Sequence, residues 1–134
     1  MLRTLPVLAL AFSALSSAAT VDGISIHSTV RGKGPKTIVF VHGWACDESS
    51  WNDQVPFFEK NYRVITLDLP GHGKSGSPTS GPLTMDLFAR SIEAVRVEAK
   101  GGRIVLVGHS MGASVNTPVC SHVPLKRRSA DTGR

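Results

Sequence analysis

The sequence predicts an α/β fold, a mostly parallel sheet flanked by helices, and three observations carry that prediction. Three short runs, Thr37–Val41, Tyr62–Leu67 and Ile104–Val107, read as strands, the first and last aliphatic as in strands buried on both faces. Helix-forming stretches separate them, and right-handed crossovers turn such an alternation into a parallel sheet with helices on both sides. The third run leads straight into Gly108-His109-Ser110-Met111-Gly112, where glycines stand two residues before and two after a serine. That spacing suits a sharp strand-to-helix turn, which lifts the Ser110 hydroxyl clear of the sheet at a helix N-terminus.

Composition sets the outer bounds. The chain has 134 residues, enough for one domain, and 41% of them are hydrophobic. The net charge of +5 is uneven: Lys126, Arg127, Arg128 and Arg134 crowd the last nine residues against Asp131 alone. Basicity therefore describes a tail and gives no reason to expect a nucleic-acid partner.

In chain order, Met1-Leu2-Arg3 is a short positive start and Leu5–Leu15 an apolar stretch too short to span a bilayer comfortably. Small residues follow at Ser16–Ala19. Together they read as a signal peptide, residues 1–19, cut after Ala18 or Ala19, so the mature chain is expected to be periplasmic or secreted, with no membrane span after cleavage. The Val21–Val30 segment alternates in part, like a strand with one wet face, and Arg31–Pro35 breaks it as a turn. Beyond Thr37–Val41, the Asp47–Asn61 segment reads as two short helical pieces, with Pro56 at the first position of the second. A turn-rich loop, Asp68–Gly76, follows the Tyr62–Leu67 strand. Thr84 then caps a helix whose Leu87, Phe88, Ile92, Val95 and Ala99 share one face, and Gly101-Gly102 stops it. Residues 20–117 form the expected domain, and 118–134 a basic, irregular tail.

Three motifs now stand in order on suitable elements: Val-Phe-Val-His42-Gly43-Trp44, Asp68-Leu-Pro-Gly71-His72-Gly73-Lys-Ser75 and Gly108-His-Ser110-Met-Gly112. Over Val21–Ala113 the chain resembles the α/β-hydrolase superfamily, specifically the N-terminal half of its small esterase- and lipase-like members. The resemblance implies acyl transfer on a small ester-like substrate, without cofactor or metal. Ser110 would attack the carbonyl, and the backbone amides of Trp44 and Met111 would hold the oxyanion. His42, Gly43, Gly108, His109 and Gly112 would support the two motifs, His109 by packing beneath the turn. His72 and Asp68 would order the loop after the second motif. A serine at this position also separates the chain from the dehalogenase and epoxide-hydrolase branches, which resemble this scaffold but place an aspartate there.

The same family orders its triad as serine, then acid, then histidine. After Ser110 the chain offers His122 and Asp131, in reverse order. His122 lies twelve residues on, about 18 Å away along a helix. Pro118 would also interrupt the helix behind the serine. The expectation is a partial α/β-hydrolase fold, truncated after the nucleophile and inactive as it stands. A non-catalytic product that at most binds a ligand or a partner chain is the other reading. Without a following strand, Ile104–Val107 would be an aliphatic sheet edge open to self-association. Cys46 and Cys120 form the one intrachain pair available, and nothing in the sequence positions them to bond.

Overall fold

The computed structural model describes residues 14–115. Five strands and two helices appear in the order β1 (Leu15–Val21), β2 (Ile24–Arg31), β3 (Thr37–Val41), α1 (Val55–Phe58), β4 (Arg63–Leu67), α2 (Met85–Glu98) and β5 (Ile104–Gly108), and a further helix begins at Met111. A 3-10 turn, Glu48–Trp51, precedes α1. They form one sheet in the order β1-β2-β4-β3-β5. Strands β4, β3 and β5 run parallel, with Ile38 opposite both Val64 and Val105. These are the three strand runs read from the sequence, and the elbow strand lies beside β3.

The N-terminal part differs from the sequence reading. The segment read as one strand over Val21–Val30 is broken by a tight turn at Asp22-Gly23, and β1 and β2 flank it as a hairpin with Val21 opposite Ile24. Both turn residues have positive φ, 51° and 78°, as a two-residue turn matching strand twist requires. Because β2 joins β4 antiparallel, the sheet is mixed: its C-terminal half alone is parallel.

Residues Leu15–Ala19, read above as the end of a leader, here pair with Ile26–Val30, and Ala19 is buried in the core. A chain starting at Thr20 keeps two of the seven β1 residues. It is expected to melt at least about 5 °C below a chain starting at Ala14, the shift that about 1 kcal/mol produces in a domain of this size. Equal melting temperatures would remove β1 from the folding unit.

Side-chain alternation divides the core between the two faces of the sheet. On one face Val39, Val41, Ile65 and Leu67 pack with Leu87, Phe88, Ile92 and Val95 of α2. Thr84 starts that helix as expected, its hydroxyl accepting the Leu87 N–H at 3.1 Å. On the other face Ile38, Phe40 and Val64 meet Val55, with Trp51 and Phe58 tilted against the Phe40 ring. Pro56 is the second helical residue of α1, one place later than the sequence reading put it. It still occupies the first turn, where its missing N–H costs no hydrogen bond. At the far edge, Val105 is 53% exposed, and among the described residues β5 pairs with β3 alone.

Candidate functional site

The site is built at the C-terminal ends of β3, β4 and β5, where three connections leave the sheet together. From β5 the chain turns at His109 and Ser110 into a helix over residues 111–115. Ser110 has φ 53°, a left-handed conformation that costs a non-glycine residue about 1–2 kcal/mol. Its two flanking glycines are required by space. A Cβ on Gly108 would overlap the backbone of Gly112 and Ala113, and one on Gly112 would overlap the carbonyls of Val41 and His42. The turn is pinned to the central strand, since His109 N–H donates to the Val41 carbonyl at 3.1 Å. Ser110 is exposed, and Met111 is partly buried against the α2-side core.

From β3 the chain passes through buried His42 and Gly43 to Trp44, which is 61% exposed. Gly43 lies against the elbow: a Cβ there would stand 3.3 Å from the Ser110 Cβ and from His109 Nδ1. His42 Nδ1–H donates to the Gly43 carbonyl at 2.7 Å, and Nε2 accepts the Leu69 N–H at 3.0 Å. Those roles require the neutral ring. Burial lowers the His42 pKa, and the nearby His72 adds to the effect, while the bond to Gly43 opposes it. His42 thus ties the loop after β3 to the loop after β4.

The loop after β4 is ordered by Asp68. One carboxylate oxygen accepts Glu48 N–H at 2.7 Å and the other accepts Lys74 N–H at 2.8 Å. His72 is buried, its Nδ1–H donating to the Pro70 carbonyl at 2.9 Å, and its ring lies edge-on to Trp44 at 5.1 Å and tilted to His42 at 5.2 Å. His109 departs from expectation. It is exposed beside Gly43 instead of packed under the turn, at the end of β5, the outermost of the described strands.

Among the described residues, no imidazole hydrogen-bonds to the Ser110 hydroxyl: His27, His42 and His72 each bond elsewhere, and the adjacent His109 ring makes no hydrogen bond to it. His122, Asp131, Cys120 and Pro118 lie outside the described residues, and Cys46 is an exposed free thiol.

One group escaped the sequence reading. Glu48 sits over the β2–β4 strand pair, where Oε1 accepts from His27 Nε2 at 2.9 Å and Thr29 Oγ1 at 3.2 Å, and Oε2 accepts from Thr66 Oγ1 at 2.7 Å. Burial pushes this carboxyl up, but those three donors outweigh it and hold the pKa below its ordinary value. Donor atoms of His27, Glu48 and Asp68 lie within 4.8 Å of one another, close enough to suggest a metal centre. Every one of those carboxylate oxygens already accepts a protein hydrogen bond, so the geometry is that of an internal clamp. A polar cavity of about 280 Å³ opens beside it, lined by Arg31, Asn52, Thr66 and Asp68 among others. Ser110, Trp44 and Met111 are not part of that lining.

A strained serine between two obligatory glycines, facing a His-Gly loop, is the arrangement expected from the three motifs. The model of the alpha/beta hydrolase family matches residues 38–130. The chain belongs to the α/β-hydrolase family. Among its relatives, this α/β-hydrolase is 34% identical over 93 residues to the (E)-2-((N-methylformamido)methylene)succinate hydrolase of Acinetobacter baylyi, covering 69% of this chain and 35% of that protein. It is 37% identical over 93 residues to a 2-hydroxy-6-oxononadienedioate/2-hydroxy-6-oxononatrienedioate hydrolase of Escherichia coli, covering 66% and 32%. In structure it is similar to an epoxide hydrolase from Vigna radiata, with TM-score 0.75 and 28% identity over 83% of this chain and 36% of that one. The α/β-hydrolase chain thus spans about a third of the length of these relatives. Among the described residues no helix is long and apolar enough to cross a membrane.

Proposed function

We propose that this chain carries the nucleophile and the oxyanion-binding amides of a serine hydrolase that cleaves an ester-type bond in a small molecule. The observation that carries this is Ser110 itself. A non-glycine residue held at φ 53° is strained, and strain of this kind collects where function needs a side chain presented. The fold spends that strain on presenting a hydroxyl at the start of a helix, where the backbone dipole favours developing negative charge. The Met111 amide follows the nucleophile directly in the chain, and the Trp44 amide follows Gly43, which lies against Ser110. Two amides so placed would each contribute about 3–4 kcal/mol of transition-state stabilisation. The relatives named above, described as hydrolases of small organic acids, support a small-molecule substrate.

The test is a graft. Residues 37–115 replace the corresponding segment of the E. coli relative, and hydrolysis is measured with and without Ser110→Ala. Hydrolysis that depends on Ser110 is the expected result, and activity unchanged by Ser110→Ala would refute the nucleophile. A non-catalytic product is the second reading, and a specific observation favours it: no imidazole hydrogen-bonds to Ser110 among the described residues.

A further inference from the structure

The loop carrying Trp44 is an irregular excursion with little of its own to hold it. It contains one internal backbone hydrogen bond, Cys46 N–H to the Gly43 carbonyl, at 3.3 Å. Ala45, three positions after His42, adopts φ 58°, a left-handed conformation uncommon for a non-glycine residue. Trp44, Ala45 and Cys46 are all exposed, so burial does not fix them either. A loop of this kind samples many conformations unless both ends are anchored. His42 is the first anchor. The second, on the far side, is Glu48.

We propose that Glu48 is the positioning residue of the 43–47 loop, fixing the Trp44 amide opposite Ser110 by fastening the end of the loop to the sheet. Its side chain accepts from His27 and Thr29 of β2 and from Thr66 of β4, and its own N–H donates to Asp68. A single residue thereby joins two strands, the 3-10 turn and the loop after β4. The register explains why it reaches them. Thr66 stands opposite Phe40 on β3 and opposite Thr29 on β2, so both hydroxyls share the face that the 3-10 turn covers. Lys74 Nζ lies 3.9 Å from Oε1, the Asp68 carboxylate accepts the Glu48 N–H, and Arg31 and Asp47 line the cavity beside the clamp. Bonds to an ionised acceptor are about twice as strong as neutral ones, which suits a carboxylate asked to hold a strained loop.

This inference rests on reading the Trp44 amide as an oxyanion donor, but its test does not use that chemistry. Amide hydrogen exchange is followed by mass spectrometry in the full chain at neutral pH, for residues 43–48 and, as an internal reference, for β3. Glu48→Ala is expected to speed exchange of 43–48 about tenfold or more relative to β3, the equivalent of losing one charged hydrogen bond. Glu48→Gln, which keeps an acceptor for Thr66, is expected to restore most of the protection. Thr66→Val, which leaves Glu48 in place, should give a smaller change in the same direction, and it keeps the test open if Glu48→Ala fails to fold. Loop exchange unchanged in Thr66→Val and Glu48→Ala would overturn the inference, as would a rise shared equally by β3. An inert Ser110 would leave these results untouched, so the two readings fail separately.

Discussion

The purified 134-residue chain is expected to remain unlabelled at Ser110 by a fluorophosphonate, and to hydrolyse activated esters no faster than its Ser110→Ala variant. A serine hydroxyl is a poor nucleophile until an adjacent base takes its proton, and that base needs an orienting carboxylate. His42 is committed as an acceptor to Leu69 and as a donor to Gly43, and burial keeps it neutral there. His27 is bound to Glu48, and His72 is turned toward Pro70. Loss of the nucleophile–base pair from a complete site costs on the order of 10⁶ in kcat, against about 10³–10⁴ over water that binding and the oxyanion amides supply alone. The first figure decides the outcome. Stoichiometric labelling would mean that a base reaches Ser110 after all. His122→Ala and His72→Ala, each assayed for labelling rate, would then identify its source.

Gly112→Ala is expected to cost about 3–5 kcal/mol of folding stability, or to prevent folding, whereas Gly23→Ala should cost only about 1–2 kcal/mol. Both positions are glycines, and the difference lies in what a methyl would meet. At Gly23 there is open space and only the left-handed backbone, φ +78°, penalises a side chain. At Gly112 the new Cβ would fall on the carbonyls of Val41 and His42. Those are backbone atoms at the end of the fully buried β3, so neither can swing aside as a flexible side chain would. Relief requires the helix to part from the sheet. Urea unfolding of the two variants beside the parent measures this directly. Equal midpoints for Gly112→Ala and Gly23→Ala would show that the elbow does not pack as described.

The three parallel strands and α2 were legible in the sequence because each announces itself locally. A run such as Thr-Ile-Val-Phe-Val is incompatible with exposure on either face, and Leu87, Phe88, Ile92 and Val95 recur at the helical period behind a Thr cap. The hairpin was less legible although its signal was present. Asp22-Gly23 is a favoured pair for a tight turn, but the apolar stretch before it also fits a leader, and that competing pattern concealed β1. His109 was misplaced because packing beneath a turn presupposes a neighbour beyond β5. The Glu48 clamp could not be read at all. Its partners come from residues 27, 29, 66 and 68, and no local pattern ties Glu48 to them. A weak trace exists in Thr66, a polar interruption among Val64, Ile65 and Leu67 of β4, opposite Thr29.

The strand order has a kinetic consequence. The β1–β2 hairpin forms from neighbouring residues and can close within microseconds of its synthesis. β3 cannot complete its surroundings so early, because one side awaits β4 and the other awaits β5, with Thr37 paired to Ile104. During translation the most fully buried strand of the sheet therefore emerges from the ribosome long before the partner for its outer edge has been made. Long-range parallel pairing of this kind is intrinsically slow, and an unpaired apolar strand is where nascent chains stick to one another. The central position that makes β3 the mechanical support of the elbow thus also makes it the segment with the greatest demand for chaperone protection during synthesis.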